Sequence, residues 1–336
     1  MTLTEIAKLA GVSAGTVDRV LHNRKGVSEK TKEKIQSIIE KYEYKPNLIA
    51  RQLKNNKTLK LGILLPKLGS GCGYYSSLLE GMKKAVESLL PFKIELLIEE
   101  FDRSKSLDAL TKGVNLISKN IDGIITTPVV QEDFYELIPH LIDIPYIYVD
   151  SPINHPGAIS TIAQNPFKGG LCAGKIMKLL KGSGCFACIR MYDNAYNLLE
   201  RARGFSEFFA QDSGSKVYDV ICEDFSSSGI YSFLENFYET HPDLKGIFIP
   251  HAEVEVATYF LINKGLKNKI ALIGYDSVPQ NKQALLGGTI DCLIGQRPET
   301  QGAEAVFQLY QHIMLHKKIE KEVEMPIDIF FRENIQ

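Results

Sequence analysis

The apolar positions of this chain follow two rhythms. Near the N-terminus they recur at helical spacing: Ile6, Leu9 and Ala10, then Val17, Val20 and Leu21, then Ile35, Ile38, Ile39 and Tyr42. Each set makes one face of an amphipathic helix, and together they predict a small three-helix core. From residue 60 onward, short apolar runs alternate with amphipathic stretches. Strands are expected at 60–65, 94–101, 123–126, 146–149, 159–163, 185–190, 216–222, 246–249, 270–274 and 291–294, with a last one near 326–331. Helices are expected near 76–89, 106–119, 131–142, 166–180, 198–210, 228–240, 253–264, 279–286 and 299–315. Such alternation predicts parallel sheets covered by helices on both faces. So many strands exceed one compact doubly wound unit and predict two Rossmann-like lobes. The first break is expected at 150–159, where Ser151-Pro152-Ile153-Asn154-His155-Pro156-Gly157 interrupts the run. A return to the first lobe through 294–296 and the last strand would make a hinged cleft. Ligands of such sheets bind outside the strand carboxyl ends.

Local signals sharpen the N-terminal reading. Thr2 and Glu5 have capping-box spacing, Gly11 breaks the first helix, and Ser13 can cap the second. Ala7 is small enough for a close helix crossing, Val12 fills the corner, and Val27-Ser28 opens a third helix. This is the grammar of a helix–turn–helix. Its second helix turns Ala14, Gly15, Thr16, Asp18, Arg19 and His22 outward, and Arg19 is the expected reader of a guanine. After Tyr44-Lys45-Pro46-Asn47, residues 48–54 are too few for an independent helix. Their apolar side chains suit a hinge that folds only beside a partner and a groove. The expected divisions are a headpiece at 1–46, a hinge and linker at 47–59, and a two-lobed domain at 60–336.

Charge supports that division. Residues 1–60 carry 13 Lys and Arg against 6 Asp and Glu, net +7, and the rest carry 26 against 34, net −8, within a chain of net −1. A basic head on an acidic body is the footprint of a nucleic-acid binder.

Other classes fare worse. The N-terminus has no apolar run, and no stretch is long enough to cross a bilayer, which predicts a cytoplasmic protein without membrane contact. Cys185-Phe186-Ala187-Cys188 has redox or zinc-pair spacing, but strand periodicity points its two thiols to opposite faces, so no metal or other cofactor is expected. Gly69-Ser70-Gly71-Cys72-Gly73 lacks the third glycine of a dinucleotide loop and begins beyond Pro66. No nucleophile elbow is visible, so no catalytic residues are assigned. An exported solute receptor would share the body but not the basic head.

The headpiece resembles the lac repressor and purine repressor family of bacterial transcription regulators. The resemblance rests on T-x-x-E-I-A-x-L-A-G-V-S from Thr2, T-V-x-R-V-L from Thr16, V-S-x-x-T from Val27 and Y-x-P-N-x-x-A-R-x-L from Tyr44. It implies DNA contacts from Thr4, Ser13, Ala14, Gly15, Thr16, Asp18, Arg19 and His22, and from Asn47, Ala50, Arg51 and Leu53 of a hinge helix, with Leu53 as a wedge between base pairs. Asp18 stands where the family usually has Ser, so it is expected to accept from a cytosine amino group or to orient Arg19.

The larger region resembles that family's effector domain, of the periplasmic sugar-binding-protein fold. Tyr74-Tyr75 with Leu79-Glu80-Gly81, the segment from Asn197 to Phe205, Ile273-Gly274-Tyr275-Asp276, and Ile294-Gly295-Gln296 carry the likeness. It implies a small effector, a sugar or derivative, held by Tyr74, Tyr75, Asp150, Asn165, Arg201, His251, Asp276 and Gln296. Arg201 and Asp276 are expected on opposite walls. Either tyrosine reads as a ring platform or as core, Arg201 as a ligand fork or an interlobe ion pair, and Asn165 as a contact or a helix cap. His251-Ala252 replaces the family's usual N-D, so the ligand cannot be copied from a relative. No long C-terminal heptad repeat is present, so a homodimer on a palindromic operator is expected.

Overall fold

Thr2 and Glu5 do cap each other: the Thr2 amide donates to Glu5 Oε2 at 2.7 Å and the Glu5 amide to Thr2 Oγ1 at 3.3 Å. They open α1 (Leu3–Ala10), which ends at Gly11 with a left-handed φ of 69° that favours glycine. After Ser13 come α2 (Ala14–Leu21) and then α3 (Glu29–Lys41), whose N-cap Ser28 accepts from the Thr31 amide. The computed structural model describes residues 1–21, 24–42, 44, 58–68, 73–90, 92–153, 155, 157–191 and 195–335. It separates the chain into two units, Met1–Lys57 and Thr58–Gln336. Positions assigned to His22, Asn47, Ala50, Arg51 and Leu53, the hinge around them, and Gly69–Cys72 lie outside the described residues.

The head core is Ile6, Ala7, Ala10, Val17, Val20 and Ile35. Two expected members are absent from it. Leu9 is 49% exposed, because burial of Ala7 turns the stripe toward residues 6, 7 and 10 and, at about 100° per residue, carries position 9 off its edge. Tyr42 is 47% exposed at the end of α3, and Tyr44 packs on the core instead.

The second unit runs β1 (Leu59–Pro66), α4 (Tyr74–Ser88), β2 (Ile94–Phe101), α5 (Asp108–Ser118), β3 (Gly123–Thr126), α6 (Gln131–Leu137), β4 (Tyr146–Val149), β5 (Ser160–Gln164), α7 (Pro166–Lys181) and β6 (Cys185–Arg190). It continues through α8 (Tyr196–Phe209), β7 (Lys216–Ile221), α9 (Ser227–Thr240), β8 (Leu244–Phe248), α10 (Thr258–Asn263), β9 (Ala271–Tyr275), α11 (Pro279–Leu286), β10 (Cys292–Gly295), α12 (Pro298–Leu315), β11 (Glu322–Met325) and β12 (Asp328–Phe330). Short 3-10 turns follow α6 and precede α10. The strands form two sheets, β11-β5-β4-β3-β1-β2 and β12-β10-β9-β8-β6-β7. The orders are the same pattern written twice, so β4 and β9, or α4 and α8, hold equivalent places in the two lobes. Central strands such as β1, β3, β6 and β9 are apolar nearly throughout because helices bury both faces. Cys185 and Cys188 pack into different cores on opposite faces of β6.

Two expectations about the lobes are corrected. The segment 150–159 is a connection within the first lobe, since β5 pairs with β4. The first crossing comes after Gln164, where α7 packs against the second sheet. The strand near 326–331 belongs to the second lobe, as β12 pairs antiparallel with β10. The strand that returns to the first lobe is β11, which pairs with β5 and was not anticipated. Its sequence, Glu322-Val323-Glu324-Met325, has the alternating polarity of a sheet edge, not an apolar run.

Helices α7 and α8 cross at glycines. A Cβ on Gly170 would lie 2.0 Å from the Arg201 carbonyl oxygen, and one on Gly204 would lie 2.1 Å from that of Phe167. This contact sets the depth of Arg201. Gly170→Ala is expected to destabilise the protein by about 1–3 kcal/mol through overpacking. Thermal denaturation checks this, and an unchanged melting temperature would show that the crossing relaxes freely.

Candidate functional site

On the headpiece, Thr4, Ser13, Ala14, Gly15 and Arg19 are exposed, and Thr16 and Asp18 are half-buried. Ser13 Oγ accepts from the Thr16 amide at 3.2 Å, so the side chain of Ser13 is engaged in capping α2. Asp18 pairs with Arg24 at 3.4 Å. Thus the acidic departure on the outer face of α2 has a cationic partner six residues on, a pairing that sequence reading had not foreseen.

In the second unit, the connections after β2, β3 and β4 and the start of α4 form one wall of a cleft. The start of α8 and the connections after β8 and β9 form the other, and Gln296 stands at the second crossing, between β10 of the second lobe and α12, which packs on α4 in the first. Tyr74, Tyr75, Asp150, Arg201, His251, Asp276 and Gln296 all line this cleft, which encloses a cavity of about 90 Å³. Asn165 is placed elsewhere. Its side chain accepts from the Lys168 amide at 3.0 Å as the N-cap of α7, and it lines a separate cavity beside Pro152 and Glu324. The expectation of opposite walls for Arg201 and Asp276 also gives way. Both belong to the second lobe, because α8 and β9 pack in the same unit of sheet and helix.

The walls are tied by an ordered polar web. The two acids occupy equivalent places, just past β4 and β9, and both have left-handed backbones, with φ of 64° at Asp150 and 62° at Asp276. Asn281 Nδ2 holds the second of these turns, donating to the carbonyls of Ala252, Tyr275 and Asp276 at 2.7, 3.0 and 3.0 Å. Asp150 Oδ1 accepts from the Tyr74 hydroxyl and from Asn197 Nδ2, each at 3.1 Å. The second of these bonds joins the two lobes directly. Gln301 accepts from the Asp150 amide and donates to the Tyr74 hydroxyl and the Gln296 carbonyl. Tyr74 is therefore buried within the web and offers little ring face, whereas Tyr75 is half-buried at the cleft under Arg103, 5.2 Å from its ring centre.

Arg201 is 4% exposed. It donates to the Pro250 carbonyl at 2.9 Å and to Gln296 Oε1 at 2.8 Å, and it stacks 3.8 Å from the centre of the Tyr275 ring. Gln296 Nε2 in turn donates to Asp276 Oδ1 at 3.0 Å. His251 Nδ1 lies 2.9 Å from Glu253 Oε2 and 3.3 Å from the Glu253 amide nitrogen, which donates to it. Three buried polar atoms of this web have no hydrogen-bond partner among the described residues: Asn197 Oδ1, Arg201 Nε and His251 Nε2. Sequence reading missed Arg103, Asn197, Glu253 and Gln301. Arg103 and Glu253 follow strand ends and could have been suspected on that ground, while Gln301 lies inside a helix and gave no signal.

Burial raises the Asp276 carboxyl to about 7, with Arg201 and Gln296 holding it down and Asp150 and Glu253 pushing it up. Burial likewise raises Asp150 despite Arg201 and the Tyr74 hydroxyl. For Glu253, burial pulls upward, but the hydrogen bond and charge of His251 outweigh it and the carboxyl falls below its usual range. Among the described residues, no group of three or more His, Cys, Asp or Glu could hold a metal ion. No helix among them is long and apolar enough to cross a membrane.

A helix–turn–helix unit followed by a two-lobed domain with a polar interlobe cleft defines a ligand-binding DNA-binding regulator. Residues 2–47 match the family of bacterial regulatory proteins, lacI family, and residues 61–318 match the periplasmic binding protein domain. The chain belongs to the lacI family of bacterial transcriptional regulators, with a binding domain of the periplasmic type. It is 28% identical to the ribose operon repressor of Lactococcus lactis over 339 residues, covering 100% of this chain and 98% of that protein. It is 22% identical to the HTH-type transcriptional repressor PurR of Photobacterium profundum over 338 residues, covering 95% and 98%. Its fold matches GanP, a glucose-galactose binding protein from Geobacillus stearothermophilus, with a TM-score of 0.74, 19% identity and coverage of 83% of this chain and 99% of that one.

The raised Asp276 carboxyl makes a pH prediction. Its folded value, about 7, lies above the unfolded value of about 3.9, so the folded state binds the extra proton. The resulting stability is fully present below the unfolded value and is lost as pH rises through about 7. Ligand-free wild type should therefore lose melting temperature relative to Asp276→Asn between pH 4 and 8. Parallel curves for the two proteins would show that Asp276 does not titrate in this window.

Proposed function

We propose that the protein is a cytoplasmic, homodimeric repressor. It reads a palindromic operator through α2 and responds to a small sugar or sugar derivative in the interlobe cleft. The observation that carries the ligand class is the set of orphaned buried groups, Asn197 Oδ1, Arg201 Nε and His251 Nε2, beside two carboxylates raised by burial. A polyhydroxylated ring supplies donors for Asn197 and the carboxylates and an acceptor for Arg201. Its hydroxyls can serve His251 in either role. The ring's apolar face suits Tyr75. The names of its relatives, a ribose operon repressor and a glucose-galactose binding protein, point to the same class.

On DNA, the exposed basic Arg19 near the end of α2 is the base reader, and Thr4, Ser13, Ala14, Gly15 and Thr16 bring the helix end close to the groove. Asp18, held by Arg24, orients the cationic edge of the helix and so screens its own charge from phosphates. Asn47, Ala50, Arg51 and Leu53 complete the contact in the minor groove.

A thermal-shift panel of aldopentoses, aldohexoses, sugar acids and sugar phosphates tests the ligand class, since binding to the native state raises its melting temperature. At least one sugar should stabilise wild type. Asp276→Asn should weaken it by about 1.5–3 kcal/mol, the value of a hydrogen bond to a charged group. No stabilisation by any panel member would contradict a sugar effector. Arg19→Ala should weaken the operator by about 1–3 kcal/mol and relax preference at one base position. Anisotropy titrations against operator and random DNA decide this, and equal losses on both would remove Arg19 as a base reader.

A further inference from the structure

The three crossings between the lobes meet at one buried side chain. Gln164 ends β5 at the first crossing and is 3% exposed. Its Nε2 donates to the Gly295 carbonyl at 2.9 Å, on the second crossing, and to the Pro326 carbonyl at 3.1 Å, on the third. Its Oε1 accepts from the Tyr275 hydroxyl at 3.2 Å. The Tyr275 ring is the surface on which Arg201 stacks in the cleft. The hydroxyl is confined as well, since a Cβ on Gly169 would lie 1.8 Å from its oxygen. Gln164 thus uses both amide donors and its acceptor, all inside the protein.

We propose that Gln164 is the positioning residue that makes the three crossings move as one, and that Tyr275 links it to Arg201 in the cleft. If one crossing rotates against the others, the buried Gln164 amide loses a partner, which the folded state resists. A concerted rotation keeps all three bonds, so the lobes are confined to a few discrete arrangements. Two exposed ion pairs also span the crossings, Lys168 with Glu324 at 2.8 Å and Arg297 with Asp328 at 2.7 Å. Solvent screening makes them weak constraints by comparison. The link to Arg201 rests on the cleft's being the effector site, whereas the joining of the crossings does not.

The test measures lobe–lobe distances by double electron–electron resonance on the full chain without ligand. Nitroxides are placed at Ser118→Cys in α5 and Ser232→Cys in α9, both exposed, in a Cys72→Ser, Cys172→Ser background. Gln164→Met fills similar volume but neither donates through an amide nor accepts from Tyr275. It should broaden the distance distribution roughly twofold or more, as the lobes sample arrangements that wild type does not. Tyr275→Phe keeps the ring beneath Arg201 and removes only the hydroxyl. It should broaden the distribution less, and adding it to Gln164→Met should cause no further broadening. A wild-type width for Gln164→Met, whatever its melting temperature, would make Gln164 a packing residue only and overturn the proposal. Should that variant fail to fold, Tyr275→Phe decides alone, and a wild-type width again overturns it. Because no sugar is present, failure here is separate from failure of the sugar panel.

Discussion

The constraint on which the cleft depends is the burial of Arg201. A guanidinium cannot shed its proton, so taking it out of water is costly unless its donors are met. Here the Pro250 carbonyl and Gln296 each accept from one terminal nitrogen, the Tyr275 ring covers its face, and Nε has no partner among the described residues. Its nearest neighbours in the cleft are arranged around that cation. Gln296 turns its acceptor to Arg201 and its donor to Asp276. The close glycine crossing of α7 and α8 fixes the height of the guanidinium, and Asp276 sits at the end of the neighbouring strand. An acceptor placed at Nε would add to this arrangement.

The duplicated sheet order explains why the site lies between lobes. Each half ends its fourth strand in an acid with a left-handed backbone and begins its first helix beside the other half. Asn197 of α8 reaches Asp150 of the opposite lobe, so the web spans the cleft. Occupancy can influence DNA binding only through different affinity for different lobe arrangements. Crossings that share one glutamine restrict those arrangements.

Much of this was legible in the sequence because burial on both faces leaves a simple signature. Runs such as Gly123-Ile124-Ile125-Thr126 could be little else than central strands. The acids after β4 and β9 and the arginine in α8 stood out because a family resemblance converged with their place at strand and helix ends. What was hidden lacked contrast. Glu322-Val323-Glu324-Met325 is half solvent-facing and reads as a charged tail. The crossing at Gln164 carries no break stronger than Asn165-Pro166, which signals only a helix start, whereas the Pro- and Gly-bearing turn at 151–157 stays inside one lobe. Leu9 misled because spacing alone does not say which edge of a stripe is covered. Arg201 and Asp276 were assigned to opposite walls because the sequence shows strand ends but not which sheet each strand joins.

The most direct test is operator affinity measured by fluorescence anisotropy with and without a saturating amount of the sugar that most raises the melting temperature, on wild type and Asp276→Asn. Typical allosteric coupling corresponds to about a 5- to 150-fold change in affinity. Wild type should show a change of that order in one direction, and Asp276→Asn should bind operator normally but respond only at higher sugar concentration. Equal operator affinity for wild type with and without bound sugar would contradict control of DNA binding from this cleft.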